Sequence, residues 1–254
     1  MKLGLQMSTL TPYLQTAQGL RSACRKVAEM GYQYVQLQGV PLEIPDGEVA
    51  RALEEAGLRC VATQEDYPAG FGGDPGRYIQ RGAACGSQYL TCALIPREVD
   101  SPEKLRRFAE GFARIGEKVQ EAGMVFAFHP IGRDFQPMEG VPVFRRLMDL
   151  LPQEIQLTFC VHASFGSGVS YQQVLEDYAG RVDLVHLKDS VPMEGGGQQL
   201  TPLGEGSCDW EPVLSCCQQA GVRWAFAEQE RWTRDAFDCA ASSLRYLQGI
   251  WPRE

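Results

Sequence analysis

Only three histidines occur in this chain of 254 residues, and His129, His162 and His186 each stand at or just beyond the end of a short apolar run. A further run ends at Glu228, followed by Gln229 and Glu230. Imidazole nitrogen and carboxylate oxygen suit zinc, manganese or cobalt better than calcium, and Cys160, two residues before His162, adds a softer sulfur donor. The pattern predicts one divalent-metal site drawn from His129, Cys160, His162, His186 and Glu228. His186 lies in LVHLKDS, which carries Lys188 and Asp189 to the same place. Catalytic roles are expected of Glu228, Lys188 and His129. For Lys188 the competing role is a structural ion pair with a neighbouring carboxylate.

These residues need elements that bring their ends together. Eight runs rich in Val, Ile, Leu, Phe and Tyr recur along the chain: LGLQM at 3–7, YVQLQ at 34–38, RCVAT at 59–63, YLTCAL at 89–94, VFAFH at 125–129, QLTFC at 156–160, LVHLK at 184–188 and WAFAEQ at 224–229. Their starts lie about 25 to 40 residues apart, the length of a strand, a helix and two loops. Between them stand segments with helical spacing and helix punctuation. Ser101, Pro102 and Glu103 start a helix that Gly123 stops, and Asp209 can cap another that ends at Gly221. Eight βα units without a composition shift predict an α/β fold, a single (β/α)8 TIM barrel occupying 1–254 as one domain.

In such a barrel the eight βα loops converge at the C-terminal ends of the strands, so the three histidines and Glu228 fall on one rim. Around that mouth Arg133, Asp134, Glu205, Glu230, Arg231 and Trp232 are candidates for reading a polyol substrate. The glycine-rich GFGGDPG at 70–76 lacks the Lys and Ser/Thr of a phosphate-binding loop and reads as a flexible loop after the third strand.

Composition narrows the partners. A net charge of −8 opposes a polyanion, because nucleic-acid surfaces are met by clustered Lys and Arg, so no nucleic acid and a small molecule are expected. No run approaches the roughly 18 apolar residues of a membrane helix, and MKLGLQMSTL has no signal-like apolar stretch, so a cytoplasmic protein without a membrane partner is expected. Nine cysteines with no CxxC pair argue against a zinc ribbon or a disulfide framework. A homo-oligomer stays open.

LVHLKDS, the Gly-rich loop after it, TPLGEGSCDW and AFAEQER resemble the end of the xylose isomerase-like barrels, the sugar phosphate isomerase/epimerase family. LGLQMSTL and GYQYVQLQGV are similar to that family's first two strands, and GSGVSYQQVL to its loop after strand six. The resemblance implies a metal site of Glu, Asp, His and Glu at the ends of strands five to eight. By position the His is His186 and the last Glu is Glu228, whereas the strand-six Asp falls on Cys160 and the strand-five Glu on His129. It also implies chemistry: a metal chelates the carbonyl and hydroxyl oxygens of a ketose and stabilises an enediolate. The expected function is thus a metal-assisted isomerase or epimerase of a sugar, sugar phosphate or cyclitol. A keto-sugar or keto-inositol dehydratase, or a barrel that binds sugar without catalysis, is the alternative. The abasic-site nucleases of the same fold gather several zinc ions from many ligands, which three histidines do not supply.

Overall fold

The computed structural model describes residues 1–251. Eight parallel strands close into a barrel in chain order: β1 Lys2–Gln6, β2 Tyr34–Leu37, β3 Arg59–Asp66, β4 Tyr89–Ala93, β5 Val125–His129, β6 Gln156–Cys160, β7 Leu184–Leu187 and β8 Trp224–Ala227. Outside them run α1 Ala17–Glu29, α2 Asp46–Glu55, α3 Pro75–Ala84, α4 Pro102–Glu121, α5 Val143–Leu150, α6 Tyr171–Asp177, α7 Trp210–Gln219 and α8 Ala236–Ile250. Two small antiparallel ribbons, Pro137–Met138 with Val141–Pro142 and Asp189–Pro192 with Gln198–Thr201, stand on the loops after β5 and β7. Among the described residues no helix is long and apolar enough to cross a membrane, and all nine cysteines are free thiols.

The sequence signals act as local chemistry. Ser101 accepts the Lys104 amide at the start of α4, and Pro102 occupies the first turn, where a missing N–H costs nothing. Leu105, Phe108, Phe112, Ile115 and Val119 form the apolar stripe that seats α4, with the Phe112 ring 4.5 Å from that of Phe126 on β5. Asp209 departs from expectation: it precedes α7, but its side chain makes no capping bond.

Inside the barrel, side chains alternate with the strand pleat and stack in layers. At the floor, Tyr34, Ala62, Tyr89, Leu184, Trp224 and Phe226 pack as an apolar plug. Above it the packing turns polar: Gln6, Gln36, Gln64, Thr91, Thr158 and His186 are all buried. Buried polar groups must find partners. Thr91 and Thr158 do so across the lumen at 3.1 Å, Gln36 donates to Gln64, and Gln6 accepts the Ser8 amide. Register then sets the layer at the mouth, because Asp66 pairs with Ala93 and Ala93 with His129.

Candidate active site

The centre of the mouth is a buried carboxylate with a cation beside it. Glu228, just past the end of β8, accepts from the Ser8 hydroxyl at 3.0 Å through Oε1. Its Oε2 lies 3.1 Å from Lys188 Nζ and 3.1 Å from His186 Nδ1. Lys188 Nζ also donates to Glu230 Oε1 at 2.6 Å. Side-chain exposure falls from 41% at Glu230 to 12% at Lys188 and 3% at Glu228, so the chain of charges leads from solvent into the protein. Burial by itself would lift the Glu228 carboxyl, but the Lys188 ammonium and His186 beside it hold it well below the usual carboxylate range. Burial would lower the Lys188 ammonium, and Glu228 more than offsets that, aided by Cys160 and Glu230. Glu230 goes the other way: partial burial and the neighbouring Glu228 raise its carboxyl.

A relay of amides fixes the histidine. Gln64 Nε2 donates to Gln38 Oε1 at 3.0 Å, and Gln36 Nε2 donates to Gln64 Oε1 at 3.1 Å. That direction leaves Gln36 Oε1 facing His186 Nε2 at 2.6 Å, which puts a ring proton on Nε2. The Nδ1 atom then approaches Glu228 Oε2 without the angle of a hydrogen bond, and both atoms are buried with no other hydrogen-bond partner. Lys188 supplies positive charge beside this pair.

The other expected site residues divide. His129 reaches the centre, its ring 4.5 Å from that of His186, with Nδ1 on the Thr158 carbonyl at 3.0 Å. Burial and then the His186 ring push its pKa down to about 3, so it stands as neutral imidazole. Cys160 pairs in register with His186, and burial lifts its thiol to about 11, which keeps it protonated. His162 turns aside to the Ser190 hydroxyl at 3.0 Å, and Ser190 in turn donates to Gln198. Arg133 and Arg231 are exposed loop residues, and Trp232 is half-buried. Glu205 faces away to Arg234, in the loop before α8, which grips both of its oxygens at 2.6 and 2.7 Å, and Ser242 on α8 adds a third bond. Asp134 is a loop pin: its carboxylate accepts the Ile95 and Ile131 amides. Asp189 is likewise structural, since the amides of Gly204, Gly206 and Cys208 and the Trp210 indole converge on it. A Cβ on Gly206 would come within 2.0 Å of Asp189 Oδ1, which explains the glycine in the LGEG turn.

Three contributions come from outside the expected set: Ser8, the amide wall of Gln36, Gln38 and Gln64, and Asp66. The signal for the last two was available as strand alternation, since 36, 38, 64 and 66 share the inward parity.

With this geometry in view, comparison with known proteins places the chain. Residues 24–248 match the model of the xylose isomerase-like TIM barrel. The chain belongs to that family. Among curated relatives it is 25% identical to the inosose dehydratase of Clostridium perfringens, over 88% of this chain and 84% of that one. Among solved structures, a sugar phosphate isomerase/epimerase from Parabacteroides distasonis superposes with a TM-score of 0.80 at 17% identity, covering 97% of this chain and 95% of that one. The IolI protein with a zinc atom superposes with a TM-score of 0.74 at 14% identity, covering 98% of each chain.

Metals therefore occur in this fold, and the donor set here can be tested against one. His186 Nδ1 and Glu228 Oε2 are buried and lack a hydrogen bond, so they are the pair a cation would approach. The rest of the expected set does not close around them: His129 reaches the centre with its Nδ1 engaged by the Thr158 carbonyl, and His162 serves Ser190. Among the described residues no three His, Cys, Asp or Glu side chains are grouped to hold a metal ion. The expected five-residue ligand set thus does not assemble, because the ammonium of Lys188 sits against the oxygen those ligands would share. The residues present do not fit a resident divalent metal, and the chemistry below uses the chain's own groups.

Proposed function

We propose that this barrel removes water from a polyhydroxylated ketone, a keto-sugar or keto-cyclitol, by abstracting the proton next to the carbonyl and expelling the hydroxyl one carbon further on. The observation that carries this reading is Lys188 held between Glu228 and Glu230 at the mouth. An ammonium fixed by a buried carboxylate stays charged and does not need to reorganise as negative charge grows on a carbonyl oxygen. Glu228 is too strongly acidic to serve as a base, so its part is to hold Lys188. Glu230, more exposed and with a raised carboxyl pKa, is the better-matched proton acceptor. The C–H proton passes to Glu230 Oε, the enolate oxygen rests on Lys188 Nζ, and collapse of the enolate forms the C=C bond as the C–O bond breaks. The kinship with inosose dehydratase supports the outcome as dehydration. The same enolate, reprotonated on its opposite face, would give epimerisation, the reading the family suggested from sequence.

The test is incubation with a panel of keto-polyols in deuterated water, followed by mass spectrometry and NMR. Deuterium entering the carbon beside the carbonyl, with a product lighter by one water, is the expected result. Glu230→Gln is expected to lower both signals by on the order of 10²-fold or more. Deuterium with an inverted centre and no loss of water would replace dehydration by epimerisation. No exchange with any member of the panel would remove enolate chemistry altogether.

A further inference from the structure

Dehydration needs a group that gives a proton to the departing hydroxyl, and nothing around Lys188 is free to do so. Glu228 and Glu230 are occupied by the ammonium, His129 is a neutral ring tied to Thr158, and Asp134 and Asp189 are saturated by backbone amides. Asp66 is the remaining acid of the mouth layer. It is the last residue of β3, two positions beyond Gln64, whose side chain faces the lumen, so Asp66 shares that face. The neighbours confirm the parity: Thr63 points outward to α3, where its hydroxyl lies 3.3 Å from the place a Cβ on Gly82 would take. Across the sheet Asp66 is level with Ala93 and His129.

We infer that Asp66 is the general acid of this site, facing the substrate from the β3 side and protonating the hydroxyl that leaves while Lys188 and Glu230 act on the carbonyl side. The assignment rests on the dehydratase reading above. Three observations carry it. The carboxylate is half-buried and makes no hydrogen bond or ion pair with any described residue, and it does not cap the turn it precedes, so it has no structural duty. β3 stands three strands from β8 round the barrel, which puts Asp66 on a different wall from the ammonium. Burial, with Glu228 adding repulsion, raises its carboxyl pKa, which favours the protonated form that an acid must have at the start. The balance is complete: the C–H proton goes to Glu230, the Asp66 proton joins the leaving oxygen as water, and solvent exchange restores both carboxyl groups.

The deciding experiment compares Asp66→Asn with the wild type on two substrates, the β-hydroxy ketone that gives turnover and its β-fluoro analogue. Fluoride leaves without a proton, so the variant is expected to lose on the order of 10²-fold or more on the hydroxyl substrate and to stay within a few-fold of wild type on the fluoride. Deuterium exchange beside the carbonyl should persist in the variant, and its thermal midpoint should not fall below wild type, because Asp66 has no bonded partner to lose and its charge is repelled by Glu228. Equal losses on both substrates, or no loss on either, would overturn the assignment while leaving the enolate reading intact. Absence of exchange in the wild type would instead overturn that reading, and the assignment with it.

Discussion

The floor and the mouth of this barrel hold comparable numbers of charged side chains and use them in opposite ways. At the floor, Lys2 lies over the rings of Tyr34 and Trp224, at 5.4 and 5.2 Å, and Asp183 accepts from the Tyr89 hydroxyl at 2.7 Å while Arg223 donates to the same oxygen. Each of those charges trims the edge of an apolar plug and keeps its head near water. At the mouth the charges are drawn inward, one cation is shared between two carboxylates, and Asp66 is left unpaired. Packing without chemistry and chemistry without packing thus sit at the two ends of the same eight strands. Loss of a floor residue should cost stability and spare turnover, whereas loss of a mouth residue should cost turnover first.

Lys188→Met should give the largest effect. Turnover should fall by on the order of 10²–10³-fold, as when one preorganised donor to a developing oxyanion is removed. The change also strands Glu228 as a buried, unpaired carboxylate, for which about 3–5 kcal/mol of unfolding free energy is the scale. Urea titration beside the exchange assay reads both, and unchanged exchange would break the comparison. Trp224→Ala is the matching change at the floor. It should cost about 3–5 kcal/mol in the same titration, by opening a cavity in the plug, with the rate per folded molecule retained. A large fall in that rate would mean that the floor helps to set the mouth.

The smallest effect separates the two faces of β3. Glu65, outward where Asp66 is inward, has its carboxyl lifted to about 8, chiefly by burial and then by Asp66. The folded state therefore binds a proton that the unfolded chain releases near its ordinary carboxyl pKa. Stability from this group is fully present below that value and is lost as pH rises towards about 8. Glu65→Gln should flatten the decline in thermal midpoint across that window. An unaltered slope would show that Glu65 is not the group responsible.

Much of this arrangement could be read from sequence because β7 and β8 carry their chemistry in one short stretch each. LVHLKDS and AFAEQER place His186, Lys188, Glu228 and Glu230 on adjacent strand ends whichever way the loops run. The eight apolar runs likewise fall on the eight strands. What escaped was set by direction and length. His162 was counted at the mouth by its position, but the single helical turn Val161–Ser164 swings its ring towards Ser190. Glu205 is a substrate candidate by position, yet Arg234 stands 29 residues on in sequence and meets it where the loops after β7 and β8 come together. Asp66 was hidden because β3 runs to 66, three residues beyond the apolar run that announced it. The glutamines of YVQLQ and ATQED look like a solvent face until barrel closure turns that parity inward.

The direction of the amide relay also gives the β2 wall a chemical sign. Since Gln38 spends its oxygen on Gln64, what remains to offer from this half-buried side chain is its NH2 group. The wall at β2 is therefore richer in free donors than in free acceptors. Ketone and ether oxygens, which can only accept, are served by such a wall, while an ammonium or amide N–H would have to share an oxygen already engaged by Gln64. The Nε2 proton of a sealed histidine and the donor character of the β2 wall are two ends of one string of hydrogen bonds.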